Sequence, residues 1–151
     1  MARTAVVKKV HKTPKQLYVL DDQIGFILRL VSQRHSTIFA REIGASLTPT
    51  QWAALSKLAE VGPRSQNELG RLTAMDVATI KGVIDRLTAR GLTETGPDAE
   101  DGRRLMVSLT AAGQQLVEEV TPNARTITQQ TLMALSEKER EQLSALLRKL
   151  R

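Results

Sequence analysis

The sequence contains no cysteine among its 151 residues. Structural disulfides, thiolate zinc sites and a cysteine redox sensor are therefore excluded. Aromatic residues are almost as scarce, at 3% of the chain, so its core has to be built from leucine, isoleucine, valine and alanine. These residues suit helices packed on helices better than a β-sandwich, and they predict a mainly helical fold.

Residues of the kind that carry catalysis are also few. His11 and His35 are the only histidines, no glycine-rich phosphate loop is present, and no serine has an evident base near it. Two isolated histidines do not provide metal-ligand spacing. Acidic pairs such as Glu118-Glu119 are adjacent in sequence, and neighbours on a helix point in different directions. We therefore predict no catalytic residue, no metal site, no cofactor and no enzymatic activity.

Long apolar runs are missing as well. No window approaches the roughly 20 apolar residues that a membrane helix needs, and the first 15 residues lack the apolar stretch of a secretion signal, so we expect a cytoplasmic protein. Positive charge, in contrast, is abundant: 22 lysines and arginines against 16 acidic residues give a formal net charge of +6. Such an excess attracts polyanions, although it also serves solubility alone.

Hydrophobic periodicity and capping residues predict helices over most of the chain. Apolar residues recur at three- and four-residue steps, the period of one helix face. Ser65 and Ser136 each have a glutamate three residues further on, the pattern of a capping box. The predicted helices cover about residues 17–43, 49–61, 66–72 and 76–90, a segment after Thr110 that Pro122 kinks or divides, and a final segment from Ser136.

The period changes to two in the segment after the fourth predicted helix. Leu105, Val107 and Leu109 alternate with other residues and, with the stretch before the preceding turn, they predict two short strands. Between the strands lies GPDAEDG, a run of turn formers that Arg103 and Arg104 follow. Two short helices and a charged hairpin predict a winged helix-turn-helix, mainly α with a small β-wing.

This predicted unit carries residues suited to DNA. A helix fits the major groove of B-form DNA, and its N-terminal residues reach base edges. Ala78, Thr79 and Gly82 are small enough for close approach, and Lys81 can reach a base or a phosphate. Arg86 lies further along the helix and is expected to meet the DNA backbone rather than bases. A core helix with a solvated polar face also fits this pattern, but the charged hairpin favours DNA.

The stretch SQNELGRLTAMDVATIKGVIDRLTARGL and the following PDAEDGRRLMVSLTAAG resemble the MarR family of bacterial regulators. The most specific motifs are the helix ending RLTARGL, the wing pattern D-x-x-D-x-R, and the LTxxG that opens the next helix; the resemblance extends over about Leu17 to Leu150. It implies a homodimer that binds palindromic DNA and represses neighbouring genes. It also implies that Arg103 enters the minor groove while Asp98 and Asp101 brace the turn.

Two residues depart from the family pattern. Glu100 stands where the family often has arginine, and Gly82 replaces a polar or basic residue that is common in the recognition helix. We expect these differences to affect which DNA sequence is read. The predicted DNA-binding residues are Ser65, Gln66, Asp76, Ala78, Thr79, Lys81, Gly82, Arg86, Asp98, Asp101, Arg103 and Arg104.

The predicted organisation is one domain preceded by a short arm. Residues 1–16 form a basic arm predicted to be flexible, and the sequence leaves open whether it contacts DNA. Residues 17–151 form the winged helix-turn-helix domain, with dimerisation helices over 17–47 and 110–151 and a DNA-binding lobe over 48–109. Apolar stripes near both ends exceed what a small lobe can cover, which predicts an obligate-type helical dimer with half-sites about 34 Å apart.

A small-molecule effector is also implied by the resemblance. In similar proteins the ligand lies where the first, second and fifth helices meet the DNA-binding lobe, and this sequence offers Arg34, His35, Phe39 and Trp52 there. Arg34 and His35 can pair with a carboxylate and Trp52 can stack on a ring, although all three also suit structural roles. The sequence is most similar to members that govern aromatic-acid degradation, so we expect release by an aromatic acid or its CoA thioester.

Two other functions remain open at this point. One is a helical interaction module whose basic surface binds an acidic protein partner. The other is a DNA-binding regulator, repressor or activator, that responds to no small molecule. A specific palindrome that outcompetes bulk DNA by roughly 10³-fold would separate DNA reading from the first alternative.

Overall fold

The computed structural model describes residues 17–151, so the predicted basic arm over residues 1–16 lies outside the described residues. Six α-helices and one antiparallel pair of strands make up the described chain, which confirms a mainly α fold with a small β-wing. The helices are α1 (Ile24–Glu42), α2 (Pro49–Val61), α3 (Gln66–Leu72), α4 (Val77–Ala89), α5 (Ala111–Thr131) and α6 (Glu137–Lys149), and the strands are β1 (Thr93–Pro97) and β2 (Leu105–Leu109).

The first helix is shorter than the sequence predicts. It begins at Ile24 rather than near Leu17, and a separate 3-10 turn occupies Leu20–Asp22. Gln23 takes an extended backbone conformation between the two, and its side-chain amide donates to the Val19 carbonyl at 2.8 Å. Apolar residues three apart fit a 3-10 turn as well as an α-helix, so periodicity did not reveal the break.

Side-chain caps order the first turns of α2 to α6, with one departure from the predicted pattern. Ser136 and Glu139 form a complete capping box at the start of α6. Ser65 caps α3 by accepting the Glu68 N–H at 3.3 Å. The Glu68 carboxylate does not bond back to Ser65, because it pairs with the Arg64 guanidinium at 3.3 Å. Only half of the predicted box therefore forms at α3.

Pro122 does not divide the fifth helix, which runs continuously from Ala111 to Thr131. A prolyl nitrogen cannot donate to the carbonyl four residues earlier, here that of Glu118. Both Pro122 and Glu118 are exposed, so water can take the place of the missing N–H. One proline on a solvent-facing side is therefore tolerated within a long, packed helix.

The hydrophobic core lies where α2, α3 and α4 meet the C-terminal half of α1 and the body of α5. The predicted inward stripe of α4 is confirmed, since Ile80, Val83, Ile84 and Leu87 are all buried. Each such aliphatic side chain contributes about 1.5–3 kcal/mol through burial. The core therefore holds α4 firmly with its opposite face outward.

Two apolar stripes have no cover within residues 17–151. α6 has no buried residue at all, and the N-terminal half of α1 is exposed as well. Apolar stripes of this size mark interaction surfaces. Their members are Ile24, Ile27, Leu28 and Val31 on α1 and Leu143, Leu146, Leu147 and Leu150 at the other end of the chain. These are the residues that the sequence predicted to pair with a second copy.

None of the helices within residues 17–151 combines the length and the apolar character that crossing a membrane requires.

Candidate DNA-binding surface and ligand cleft

The helix-turn-helix is built around a close approach of α3 and α4 at Gly70. A Cβ atom at Gly70 would lie 3.1 Å from the Met75 carbonyl oxygen and 3.2 Å from Cγ2 of Ile80. The Met75 N–H donates to the Gly70 carbonyl at 2.9 Å, and Ala74 takes a positive φ of 54° to close the turn. Sequence reasoning missed Gly70, for which a glycine inside a seven-residue helix was the available signal.

The N-terminus of α4 is ordered by the Asp76 carboxylate, which accepts the Thr79 N–H at 2.7 Å. This hydrogen bond favours the charged form and holds the pKa of Asp76 below its usual value. Ser65 and Gln66, at the start of α3, are half-buried. The predicted contact residues within α4 lie on its solvent side: Ala78, Thr79, Lys81, Gly82 and Arg86.

The two cations on the outer face of α4 have different surroundings. The Lys81 ammonium pairs with the Asp85 carboxylate at 2.6 Å, and both side chains are largely exposed. Within residues 17–151, the Arg86 side chain has neither an acidic partner nor a hydrogen bond. Its guanidinium is therefore available to a ligand without displacing an ion pair.

The wing is a hairpin in which the register runs from Thr93 opposite Leu109 to Pro97 opposite Leu105. The second strand also pairs with Arg64, just before α3, through hydrogen bonds of 3.1 and 2.8 Å between Arg64 and Val107 backbone groups. This extra bridge, which the sequence analysis did not predict, attaches the wing to the helix-turn-helix.

Two aspartates order the tip of the wing. Asp98 accepts the Glu100 N–H at 2.8 Å, and this bond, with a smaller contribution from the charge of Arg104, holds the pKa of Asp98 below its usual range. Asp101 accepts the Arg103 N–H at 3.1 Å. The side chains of Arg103 and Arg104 are exposed at the same tip. The aspartates thus brace the turn as the resemblance implied, and the two arginines project from it.

The four predicted ligand residues fall into two groups. Arg34 donates from its guanidinium to the backbone carbonyls of Gln130 and Thr131 at 3.2 and 3.3 Å, and His35 Nδ1 lies 2.9 Å from the Thr131 hydroxyl. Both side chains therefore meet the C-terminal end of α5. Phe39 is buried in the core, and Trp52 is half-buried against it.

A cleft of about 360 Å³ opens beside Arg34, between α1 and the end of α5. Arg41 adds a second guanidinium to its wall, which sequence reasoning did not single out, although an arginine seven residues after Arg34 lies on the same helix face. The remaining lining residues are Thr37, Ile38, Gln130 and Met133. Among the predicted ligand residues, only Arg34 lines this cleft.

Comparisons with known proteins agree with a winged helix-turn-helix regulator. The model of the MarR family matches residues 45–104. NicR, an HTH-type transcriptional repressor of Pseudomonas putida, is 40% identical over 134 residues, which are 88% of this chain and 85% of NicR. A probable transcriptional regulator from Pseudomonas aeruginosa shares 56% identity at a TM-score of 0.83, covering 88% of this chain and all of that one.

The structure of Bordetella bronchiseptica BpsR, described for the regulation of its DNA binding by 6-hydroxynicotinic acid, is also similar. It shares 41% identity at a TM-score of 0.84 and covers 89% of this chain and 96% of BpsR. Helix-turn-helix, wing and long flanking helices define a winged helix-turn-helix transcription regulator rather than an enzyme. The chain belongs to the MarR family, in which dimers are typical.

Proposed function

We propose that this protein is a dimeric, cytoplasmic repressor that binds a palindromic operator near catabolic genes and releases it when an aromatic acid binds. The single observation that supports sequence-specific DNA binding is the arrangement of α4 and the wing. The outer face of α4 and the arginine-bearing tip of the hairpin are both exposed, while the core and the Arg64 bridge hold them in one body. A helix and a cationic finger so placed can occupy a major groove and the adjacent minor groove.

In this proposal α4 reads bases, while Ser65, Gln66 and the wing contact the DNA backbone and minor groove. Asp76, Asp98 and Asp101 act indirectly, by ordering the backbone that carries the contacting residues. The lobe covers residues 48–109, and the helices over 17–47 and 110–151 hold two lobes at the spacing of one duplex turn.

The test of the DNA interface is Arg103→Ala in the full-length dimer. Loss of a guanidinium from the minor groove should weaken operator binding by about 1–3 kcal/mol per contact, or roughly 5- to 150-fold, with no change in the melting temperature. Arg125→Ala removes the same charge from an exposed position on α5 and serves as the control. Equal affinities for the two variants in a gel-shift titration would remove Arg103 from the interface.

The proposed effector is a single-ring aromatic acid held where Arg34 and His35 meet the end of α5. Regulation of BpsR by 6-hydroxynicotinic acid supports this class of ligand. The adjacent cleft, with about 360 Å³, suits a ring of that size, whereas most of a CoA thioester would have to lie outside it. A carboxylate bound there would compete with the α5 carbonyls for the Arg34 guanidinium, and it would thereby act on the α1–α5 contact.

The effector hypothesis is tested on a protein–operator complex titrated with 6-hydroxynicotinic acid. Wild-type protein should release the DNA, and the corresponding amide, which lacks the carboxylate, should not. Arg34→Ala and His35→Gln should keep operator affinity but need a higher acid concentration for release. If the acid releases DNA equally well from both variants, its binding site lies elsewhere.

A further inference from the structure

The outer face of α4 contains a glycine that another residue of the same helix covers. The three atoms nearest to a Cβ atom built at Gly82 would all belong to the Arg86 guanidinium, with Nη2 at 3.4 Å and both Cζ and Nη1 at 3.9 Å. Gly82 is half-buried although it faces away from the core, and its neighbour Lys81 is exposed. The Arg86 side chain therefore lies along the helix and over Gly82.

This conformation moves the charge of Arg86 towards the end of α4 that enters the groove. Side chains on a helix lean towards its N-terminus, and here the guanidinium reaches the level of a residue four positions earlier, a rise of about 6 Å. Recognition helices contact base edges through their N-terminal residues. The expectation that Arg86 meets the DNA backbone followed from its position along the helix. It did not take into account that the side chain points towards the N-terminus of α4.

The charged residues beside Arg86 do not form an ion pair with it. Lys81, on the other side of the glycine, is paired with Asp85 at 2.6 Å. No carboxylate within residues 17–151 pairs with Arg86. An unpaired guanidinium that lies over a residue without a side chain can present its planar fork to the bidentate acceptors of guanine.

We propose that Gly82 and Arg86 together form a specificity determinant, in which the missing side chain of Gly82 gives Arg86 the space to read a guanine through O6 and N7. The proposal rests on the proposed function, and it specifies guanine as the base that Gly82 and Arg86 select. It also gives a physical reason for glycine at a position where a larger side chain would occupy the space of the guanidinium.

The experiment begins by selecting binding sites from random duplexes with the full-length wild-type dimer. Each guanine of the selected half-site is then replaced in turn by 7-deazaguanine, which lacks the N7 acceptor. One replacement should weaken wild-type binding by roughly 5-fold, the lower end of the range for a bidentate arginine–guanine contact, because the O6 acceptor remains. The same replacement should have little effect on Arg86→Lys, which keeps the charge but lacks the fork, or on Gly82→Leu, which occupies the space.

The matched control is Arg125→Lys, which makes the same arginine-to-lysine exchange at an exposed position on α5 and should keep the wild-type sensitivity. Leucine favours helix more than glycine, so circular dichroism should show that Gly82→Leu is folded. Selection of the wild-type motif by Arg86→Lys and Gly82→Leu, with unchanged sensitivity to 7-deazaguanine, would overturn the inference alone. A wild-type protein that enriches no sequence would refute the proposed function as well.

Discussion

At the level of single residues, three carboxylates on the proposed DNA-binding surface are used to order the backbone. Asp76 accepts an N–H at the start of α4, and Asp98 and Asp101 accept N–H groups within the wing. A negative charge near phosphates opposes DNA binding, so these residues are better explained by the turns that they stabilise. Their value for function lies in holding the contacting residues in position.

The cap at Asp76 should give the protein a defined pH dependence. Its folded-state pKa is lowered, so its stabilisation is fully present above the unfolded value, near 3.8, and is lost as the pH falls through the folded value. Asp76→Ala should therefore lower the melting temperature at pH 7, and the difference from wild type should shrink below about pH 4.

Asp76→Asn separates the cap from its charge, because asparagine caps helices about as well as aspartate. It should keep most of the stability at pH 7 and lose the pH-dependent part. Melting curves recorded from pH 7 to pH 3 would test this pair of variants. A constant difference between wild type and Asp76→Ala over that range would show that the charge of Asp76 contributes nothing.

At the level of elements, the junction between the wing and α5 depends on a backbone-to-backbone approach. The Thr110 hydroxyl donates to the Gly91 carbonyl at 2.6 Å and accepts the Gly113 N–H at 3.1 Å. A Cβ atom at Gly113 would lie only 2.0 Å from the Leu92 carbonyl oxygen. The last position of the LTxxG motif therefore has to be glycine, because α5 and the segment that leads into β1 leave no space for a side chain.

Gly113→Ala should destabilise the protein even though alanine favours a helix. The clash is with backbone atoms, which cannot shift without disturbing the fold. We therefore expect a loss of about 1–3 kcal/mol in the free energy of unfolding. Gly82→Ala, which meets only the tip of a flexible side chain, should instead add about 0.5–1 kcal/mol. Chemical denaturation of both variants provides the measurement, and a Gly113→Ala variant as stable as wild type would contradict the structural reason.

At the level of the whole molecule, the uncovered leucines of α6 are the clearest sign that one chain is incomplete. Leu146 is 58% exposed and Leu150, just after the helix, is 73% exposed, while the helices from α1 to α5 share one buried core. Dimers are typical of the family. Covering these side chains with a second copy would remove them from water and place two α4 helices on the same face of a duplex.

Leu146→Glu should convert the dimer to monomer and strongly reduce operator affinity, because it places a charge in the apolar stripe. Ala145→Glu adds the same charge to the same helix at an exposed position on the opposite face and should remain dimeric. Sedimentation equilibrium gives the oligomeric state and a gel shift gives the affinity. A Leu146→Glu variant that stays dimeric would place the interface elsewhere.

Much of this protein could be predicted because it depends on neighbours in sequence. The stripe of α4, the caps at Ser65 and Ser136, and the hairpin with its two aspartates all arise between residues a few positions apart. Such interactions recur with the period of a helix or the spacing of a turn, so one sequence is enough to recognise them. Positive charge at the wing and apolar stripes at both ends then led to a DNA-binding dimer.

The tertiary structure decided what distant segments do to one another. Arg34 is bonded to Thr131, 97 residues away, and Arg64 pairs with Val107 to attach the wing. Positions 70 and 113 require glycine because the backbone of another segment comes close to each of them, not because of their own helices. No periodic pattern encodes such partners, because they meet only when the packed core has brought their elements within a few ångströms of each other.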